Sequence, residues 1–352
     1  MTQGPKSIPL AELPPPDQPT GRWKRRARWV TRLARLGVLG AIALLLLAWQ
    51  VPLDPTGAPS RPRWELIASL TDALRFQVGL ALGLAAFWLV AARSWRFAVV
   101  ACLACASAVV PALGWPPSDR LAAPGSASLR VMSINLEMDV ADEALVIEAL
   151  RTTDPDVLVL QEYTPAWARR LKGRFSDSLP HRVERPRDDA FGIAAFSRQP
   201  WLRVDELTLG GSLAPQLRLE LELASTRVVL YALHLLPPRT SLYTAHRAQC
   251  ADLLERLARE SKYVMAAGDF NLVDHTAVGR EIHRLGFLDA HGVAGTGRGA
   301  TWPVNGPLRF VPGIRIDHIY LGRGITSTAA WVGGNTGSDH LPIACDVTLA
   351  RE

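Results

Sequence analysis

The sequence predicts an α/β domain of packed strands and helices, preceded by an N-terminal region of about three membrane-crossing helices. Three observations carry that prediction. Apolar, charge-free runs are confined to the first third of the 352 residues. From residue 129 onward, short apolar strands alternate with stretches of helical spacing, as a layered α/β plan requires. Several of those strands end abruptly in side chains suited to metal or phosphate chemistry.

Residues 1–20 are rich in proline and polar residues without hydrophobic periodicity, and residues 1–29 are expected to form a disordered basic cytoplasmic tail. Lys or Arg fills seven positions between 22 and 35, immediately before the charge-free run 36–51. A basic cluster ahead of an apolar run is a topology signal, so this end is expected to face the cytoplasm. Runs 76–92 and 97–115 are also charge-free, each near the roughly 17 to 25 residues that cross a bilayer, and the basic turn Arg93-Ser94-Trp95-Arg96 separates them. Trp49, Trp88, Trp95 and Trp115 fall at or near the run ends. Residues 30–116 are therefore expected to form a multi-pass unit of the inner (plasma) membrane, with residues 127–352 outside the cytoplasm. A hairpin over 76–115 that stops short of crossing is the competing arrangement.

Charge separates the two units. Residues 127–352 hold 25 basic and 27 acidic residues, a net of −2, whereas residues 1–126 hold 14 and 6, a net of +8. The overall +6 is thus topological in origin, and the soluble unit lacks the basic excess typical of nonspecific nucleic-acid binders. The cluster Arg169-Arg170-Lys172-Arg174 reads as a solvated helix end, with a local basic patch as the alternative. The four cysteines form no disulfide framework.

Within the soluble unit, LRVMSINL, DPDVLVLQE, FGIAAFSR, QLRLELEL, TRVVLYALHL, the stretch through Met265, residues 316–321 and residues 341–349 read as strands. ADEALVIEALRTT, TSLYTAHRAQCADLLERLARE and VGREIHRLG read as helices. The most informative stretch is MAAGDFNLVDH at 265–275: an apolar strand, a turn-permitting Gly268, and then Asp269 and Asn271. Residues i and i+2 of an extended chain point the same way, so a carboxylate and an amide face one spot. SINLE, VLVLQE, YALHLL, IDHIYL and GSDHLPI place further polar groups at strand ends.

Asn135, Gln161-Glu162, His234, Gly268-Asp269-Phe270-Asn271, Asp317 and Ser338-Asp339-His340 occur in an order that resembles the endonuclease/exonuclease/phosphatase superfamily over roughly residues 128–347. The resemblance implies a deoxyribonuclease I-like fold of two packed sheets flanked by helices, with the active-site loops at one edge. It also implies a phosphoester hydrolase using magnesium, with manganese as the alternative, because hard cations take oxygen ligands. Asn135, Glu162 and Asp339 are then expected as the metal ligands, with Asn135 also helping to place Glu162 or the phosphate. Asp269 would orient or deprotonate the attacking water and Asn271 would donate to a phosphoryl oxygen. His340, held by Asp317, would act as base or as phosphate-binding cation, and His234 would bind phosphate or protonate the leaving group.

Gln161 and His318 are read as structural, and Asp274, His275 and Asp289 as shaping the site. His234 is followed by two leucines and two prolines, which departs from the tyrosine-and-asparagine pattern of abasic-site endonucleases. The histidine-bearing branches remain: nonspecific nucleases, sphingomyelinases and inositol-phosphate phosphatases. The expected partners are a phosphate-ester substrate, either nucleic acid or a phospholipid headgroup, and the bilayer; no protein partner is inferable. Two competing readings are a catalytically inactive ligand-binding module on a membrane scaffold, and a transporter or sensor with an accessory hydrolase.

Overall fold

The computed structural model describes residues 22–50, 61–113, 120–123 and 127–351. The expected tail at 1–20 lies outside the described residues, as does Trp115. Four helices come first: α1 (Arg22–Gln50), α2 (Pro62–Ala73), α3 (Arg75–Ala91) and α4 (Trp95–Ala112). The second unit follows as β1 (Leu129–Asn135), α5 (Glu143–Thr153), β2 (Val157–Gln161), α6 (Pro165–Arg170), β3 (His181–Arg185), β4 (Ile193–Ser197), β5 (Arg203–Thr208), β6 (Pro215–Leu223) and β7 (Thr226–His234). It continues with α7 (Tyr243–Arg259), β8 (Val264–Asp269), α8 (Ala277–Arg284), β9 (Leu288–Asp289), α9 (Ala290–Ala294), β10 (Asp317–Leu321), β11 (Ile325–Val332) and β12 (Ile343–Leu349).

The strands form two six-stranded mixed sheets, ordered β11-β12-β1-β2-β4-β3 and β5-β6-β7-β8-β10-β9. Their inner faces meet in one apolar layer, with Val131, Val159 and Ile193 of the first sheet against Leu219, Leu230 and Met265 of the second. Helices α5 and α6 cover the outside of the first sheet through Val146, Leu150 and Trp167, and α7 and α8 cover the second through Leu253, Leu257 and Ile282. The chain therefore has the two-layer sandwich with flanking helices that the sequence predicts. Strands β2 (VLVLQ) and β8 (VMAAGD) are buried along their whole length, as runs covered on both faces must be.

Local chemistry sets the element ends. Asp142 caps α5 by accepting from the Ala144 and Leu145 amides at 2.8 and 3.1 Å. Gly268 sits at φ +146°, and a Cβ there would lie 1.9 Å from the Leu233 carbonyl oxygen. Only glycine lets β8 approach β7 this closely, one residue before the polar strand end.

Among the described residues, two helices are long and apolar enough to cross a membrane, Arg25–Ala48 and Trp95–Ala112, or three if the pair Pro62–Ala73 and Arg75–Ala91, bent by 69°, counts as one span. Helix α1 begins at Arg22, so the basic cluster is helical and the expected tail boundary at residue 29 falls inside a helix. The strands β3, β5, β9 and β11 are absent from the sequence reading. The first two are part-polar outer or near-outer strands, HRVER and RVDELT, with partial exposure, and lack the apolar run that marks a central strand.

Candidate active site

Strands β7 and β8 run parallel with His234 opposite Asp269, and β8 and β10 run antiparallel with Asp317 opposite Asp269. Directly opposed residues share a sheet face, so His234, Asp269 and Asp317 form a row across three neighbouring strands. In the other sheet, parallel pairing of β1 with β2 sets Asn135 opposite Gln161, which brings Glu162 to the same edge of the sandwich. The segment leading into β12 adds Asp339 and His340.

Asn135 joins the two sheets: its Nδ2 donates to Asp269 Oδ2 at 3.1 Å and to Glu162 Oε1 at 3.3 Å. Its Oδ1 accepts from the Glu137 amide at 2.9 Å, so the side chain acts as a spacer between two carboxylates. Asp269 Oδ1 accepts from the Asn271 amide at 2.8 Å, and Asn271 Nδ2 donates to the Leu235 carbonyl at 2.9 Å. Asp317 Oδ2 receives His340 Nδ1 at 2.9 Å. His340 Nε2 then stands 3.8 Å from Asp339 Oδ1 and 3.9 Å from Asp269 Oδ2, without a hydrogen bond among the described residues. His234 Nε2 is 3.6 Å from Asp269 Oδ2, and its backbone is fixed by Gln216, which accepts from the His234 amide at 2.7 Å and donates to its carbonyl at 2.9 Å.

Burial and charge tune these groups in opposite directions. Burial pushes the Asp269 carboxyl up to about 8, reinforced by neighbouring Asp317. Burial also works against the His340 charge, but Asp317 and then Asp269 overcome it and raise the imidazole to about 10. Burial lowers His234 to about 4, and the charge of His340 adds to that, so His234 is neutral at physiological pH. Burial raises Glu162 against the hydrogen bond from Asn135, and Asp339 and Glu137 raise it further.

All eight expected site residues thus reach one edge of the sandwich. Two residues are added that the sequence reading missed. Glu137 accepts the Asp339 amide at 2.7 Å and is raised first by its burial and also by Asp339. Trp302 Nε1 donates to Asp339 Oδ2 at 2.9 Å. Glu137 stands two residues beyond Asn135, the same spacing that singled out Asn271, whereas Trp302 lies in a loop with no local signal. Glu137, Met138, Glu162 and Asn271 all have φ between 47 and 55°. Such left-handed non-glycine backbone concentrates at functional sites, where surrounding packing holds it.

Gln161 is structural as expected, bonded to Ser133. His318 points away from the cleft, with Nδ1 2.9 Å from Asp289 and Nε2 3.1 Å from the Leu272 carbonyl. Asp289 also receives Arg315 at 2.7 and 3.0 Å, and Asp274 meets His283 and Tyr320. These two carboxylates, expected to shape the site, instead build the scaffold behind it. Asp269, Asp317 and His340 offer ligand atoms within 4.8 Å of one another, close enough to hold an ion. Glu162, Glu137 and Asp339 line the same cleft with carboxylate oxygens, the ligand type that a hard divalent cation takes. The cleft over these groups has a volume of about 670 Å³, and its wall includes Phe191, Arg239, Trp302 and the α2 residues Ser69, Leu70 and Ala73.

Comparison with known proteins places this geometry. The model of the endonuclease/exonuclease/phosphatase family matches residues 132–340. No curated protein matches the chain in sequence. Among solved structures, D. rerio TDP2 complexed with a single-strand DNA product is 22% identical with a TM-score of 0.52, over 63% of this chain and 99% of that one. The human Nocturnin catalytic domain with bound sulfate is 19% identical with a TM-score of 0.50, over 67% and 100%. An endonuclease/exonuclease/phosphatase family protein from Leptotrichia buccalis is 14% identical with a TM-score of 0.51, over 62% and 99%. At these identities the likeness shows a shared fold. The chain belongs to the endonuclease/exonuclease/phosphatase family, whose members act on phosphoester bonds.

Proposed function

We propose that this protein is a membrane-anchored, divalent-metal-dependent phosphoester hydrolase. The observation that carries the reading is the row His234, Asp269 and Asp317 on three adjacent strands, closed by His340 and facing the carboxylates Glu162, Glu137 and Asp339. Glu162 and Asp339, with Glu137, would hold the cation, magnesium or alternatively manganese. When bound, that cation neutralises phosphate charge and polarises the scissile bond. Asn135 is a bridge that keeps Glu162 and Asp269 in register, a revision of the expectation that it ligates metal.

Asp269 orients the attacking water and takes its proton; desolvation makes its carboxylate more basic than an exposed one. Asp317 fixes the His340 ring through Nδ1 and holds it as a cation, which leaves Nε2–H free to meet phosphoryl oxygens. Neutral His234 donates from Nε2 toward the phosphate or leaving oxygen as charge develops, and Asn271, whose Nδ2 donates to the Leu235 carbonyl at 2.9 Å and to Asp269 Oδ2 at 3.4 Å, holds the Asp269 carboxylate in place instead of the donor role expected for it.

The N-terminal helices anchor this unit. Arg35 Nε donates to Ser94 Oγ at 3.1 Å, which brings the basic end of α1 beside the basic α3–α4 turn. Both clusters at one end fit a cytoplasmic face for that end, and the catalytic unit then lies outside the cytoplasm. Turnover of bis(nitrophenyl) phosphate by the detergent-purified full chain tests the chemistry: activity restored by magnesium or manganese after chelation, and lost at least ~100-fold in Glu162→Ala and Asp269→Ala, is expected. Retention of that turnover in Asp269→Ala overturns the reading.

A further inference from the structure

Helix α2 is amphipathic in the inverse sense of a water-facing helix. Trp64, Ile67 and Leu70, with Leu74 just beyond the helix, are spaced three, three and four residues apart and form one stripe, each 39–57% exposed. Its two acids are buried, Glu65 at 4% and Asp72 at 1% exposure, while Arg63 beside Trp64 is exposed. Those acids pin α2 to the catalytic unit. Glu65 Oε2 lies 3.4 Å from Arg247 Nη1 on α7, Asp72 Oδ2 lies 3.3 Å from Arg280 Nη1 on α8, and the Asp72 carbonyl accepts from His275 Nε2 at 2.7 Å. A helix that turns acids inward to a protein partner and apolar residues outward leaves apolar area uncovered, which in water costs roughly 25 cal/mol for each Å². A bilayer interface removes that cost.

The geometry also sets the helix's direction. Helix α2 bends from α3 by 69°, so with α3 running along the membrane normal, α2 lies close to the membrane plane. Trp64 sits in its exposed stripe, where indole rings favour the headgroup level. A second apolar element borders the same mouth. Gln77 of α3 donates to the Pro312 carbonyl at 2.6 Å, the Arg298 guanidinium stacks 3.7 Å over Phe76, and the loop between them and the cleft exposes Leu308, Phe310 and Val311. That loop continues into Ile314 and Ile316, which line the cleft together with Ser69, Leu70 and Ala73 of α2.

We infer that α2 is an interfacial helix bedded in the outer leaflet by its Trp64–Ile67–Leu70 stripe, and that it forms the membrane-side wall of the cleft. The phosphate ester hydrolysed there is one carried on a lipid and enters from the bilayer. The inference rests on the phosphoester hydrolase reading for its substrate and on the structure of α2 for its placement. A lipid-borne ester presents its headgroup at the level of the cleft while its chains stay in the leaflet. The net charge of −2 on the catalytic unit offers no comparable attraction to a polyanion.

The test reconstitutes the full chain in phosphatidylcholine vesicles and compares two diesters with the same nitrophenyl leaving group, one water-soluble and one esterified to diacylglycerol, with plasmid DNA as a third substrate. Wild type is expected to prefer the lipid diester at least tenfold in kcat/KM. A Trp64→Glu/Ile67→Glu variant, altered only at exposed positions outside the cleft lining, is expected to lose that preference tenfold while turnover of the soluble diester is unchanged. An equal preference in the variant, no preference in wild type, or DNA cleavage faster than that of the lipid diester overturns the inference. If wild type hydrolyses none of the three, the hydrolase reading and the substrate assignment fall together. The placement of α2 is then judged by tryptophan quenching with brominated phosphatidylcholine: a quenched component that disappears in Trp64→Phe supports it, and unchanged quenching overturns it.

Discussion

Two buried histidine–carboxylate clusters share strand β10, one on each face, and they differ in saturation. Behind the sheet, His318 has both ring nitrogens occupied by Asp289 and the Leu272 carbonyl, and Arg315 closes Asp289 with two bonds. In the cleft, His340 bonds Asp317 through Nδ1 and leaves Nε2 between two carboxylates at 3.8 and 3.9 Å. Adjacent residues of one strand, Asp317 and His318, serve opposite ends because strand side chains alternate in direction. A fully satisfied cluster is scaffold, whereas one with an unspent donor and unneutralised carboxylates is poised for a ligand.

The largest expected effect that sharpens this contrast is on activity. Asp269→Asn should lower phosphodiester turnover by about 10³-fold while leaving the thermal midpoint of the metal-free protein equal or higher, because it removes a carboxylate that burial disfavours. Steady-state kinetics and calorimetry on the same preparation check both halves. Next in size is a stability effect behind the sheet. Arg315→Leu leaves Asp289 without its main counter-charge and should destabilise by roughly 3–5 kcal/mol, with turnover per folded molecule retained. Denaturant unfolding alongside active-site titration reads this out.

The clusters should also show opposite pH signatures. Burial alone would raise Asp289, but Arg315 and His318 hold it below the ordinary carboxylate range. Its contribution is therefore present above the unfolded carboxylate pKa and is lost as pH falls through the depressed folded value. Asp269 is raised to about 8, so the metal-free folded state binds a proton more tightly than the unfolded chain, and stability falls as pH rises from about 4 to about 8. Thermal midpoints measured against pH should lose the acid slope in Asp289→Asn and, in Asp269→Asn, the slope between about pH 4 and 6, below the range where His340, raised to about 10, adds a slope of its own. The smallest effect concerns Trp302, which only orients Asp339. Trp302→Phe should weaken metal binding by about tenfold, measured calorimetrically, with little change in stability.

The strand ends were legible because a buried strand announces itself by its apolar run and its last polar residue by contrast. Asn135, Glu162, His234 and Asp269 were found that way, and the α5 and α7 helices by their spacing. Glu137 was legible in principle from its i+2 relation to Asn135. What no local pattern could supply was nonlocal: that Asp269 faces Asp317 across β8 and β10, that Gln216 fixes His234, and that Trp302 reaches Asp339. Helix α2 was hidden for a different reason. Glu65 and Asp72 look like solvated charges in a connector, and only the positions of Arg247 and Arg280 on distant helices reveal that the acids turn inward. Strands β3 and β5 escaped because part-exposed outer strands carry mixed residues.

The most direct test of the central claim compares Asp269→Asn with Asp289→Asn for metal-dependent diester turnover per folded molecule and for unfolding free energy in parallel. The cleft variant should lose turnover and keep its stability, and the scaffold variant should lose stability and keep its turnover. Loss of turnover per folded molecule in Asp289→Asn with full activity in Asp269→Asn would contradict the account, because the reactive centre would then lie on the other face of the sheet.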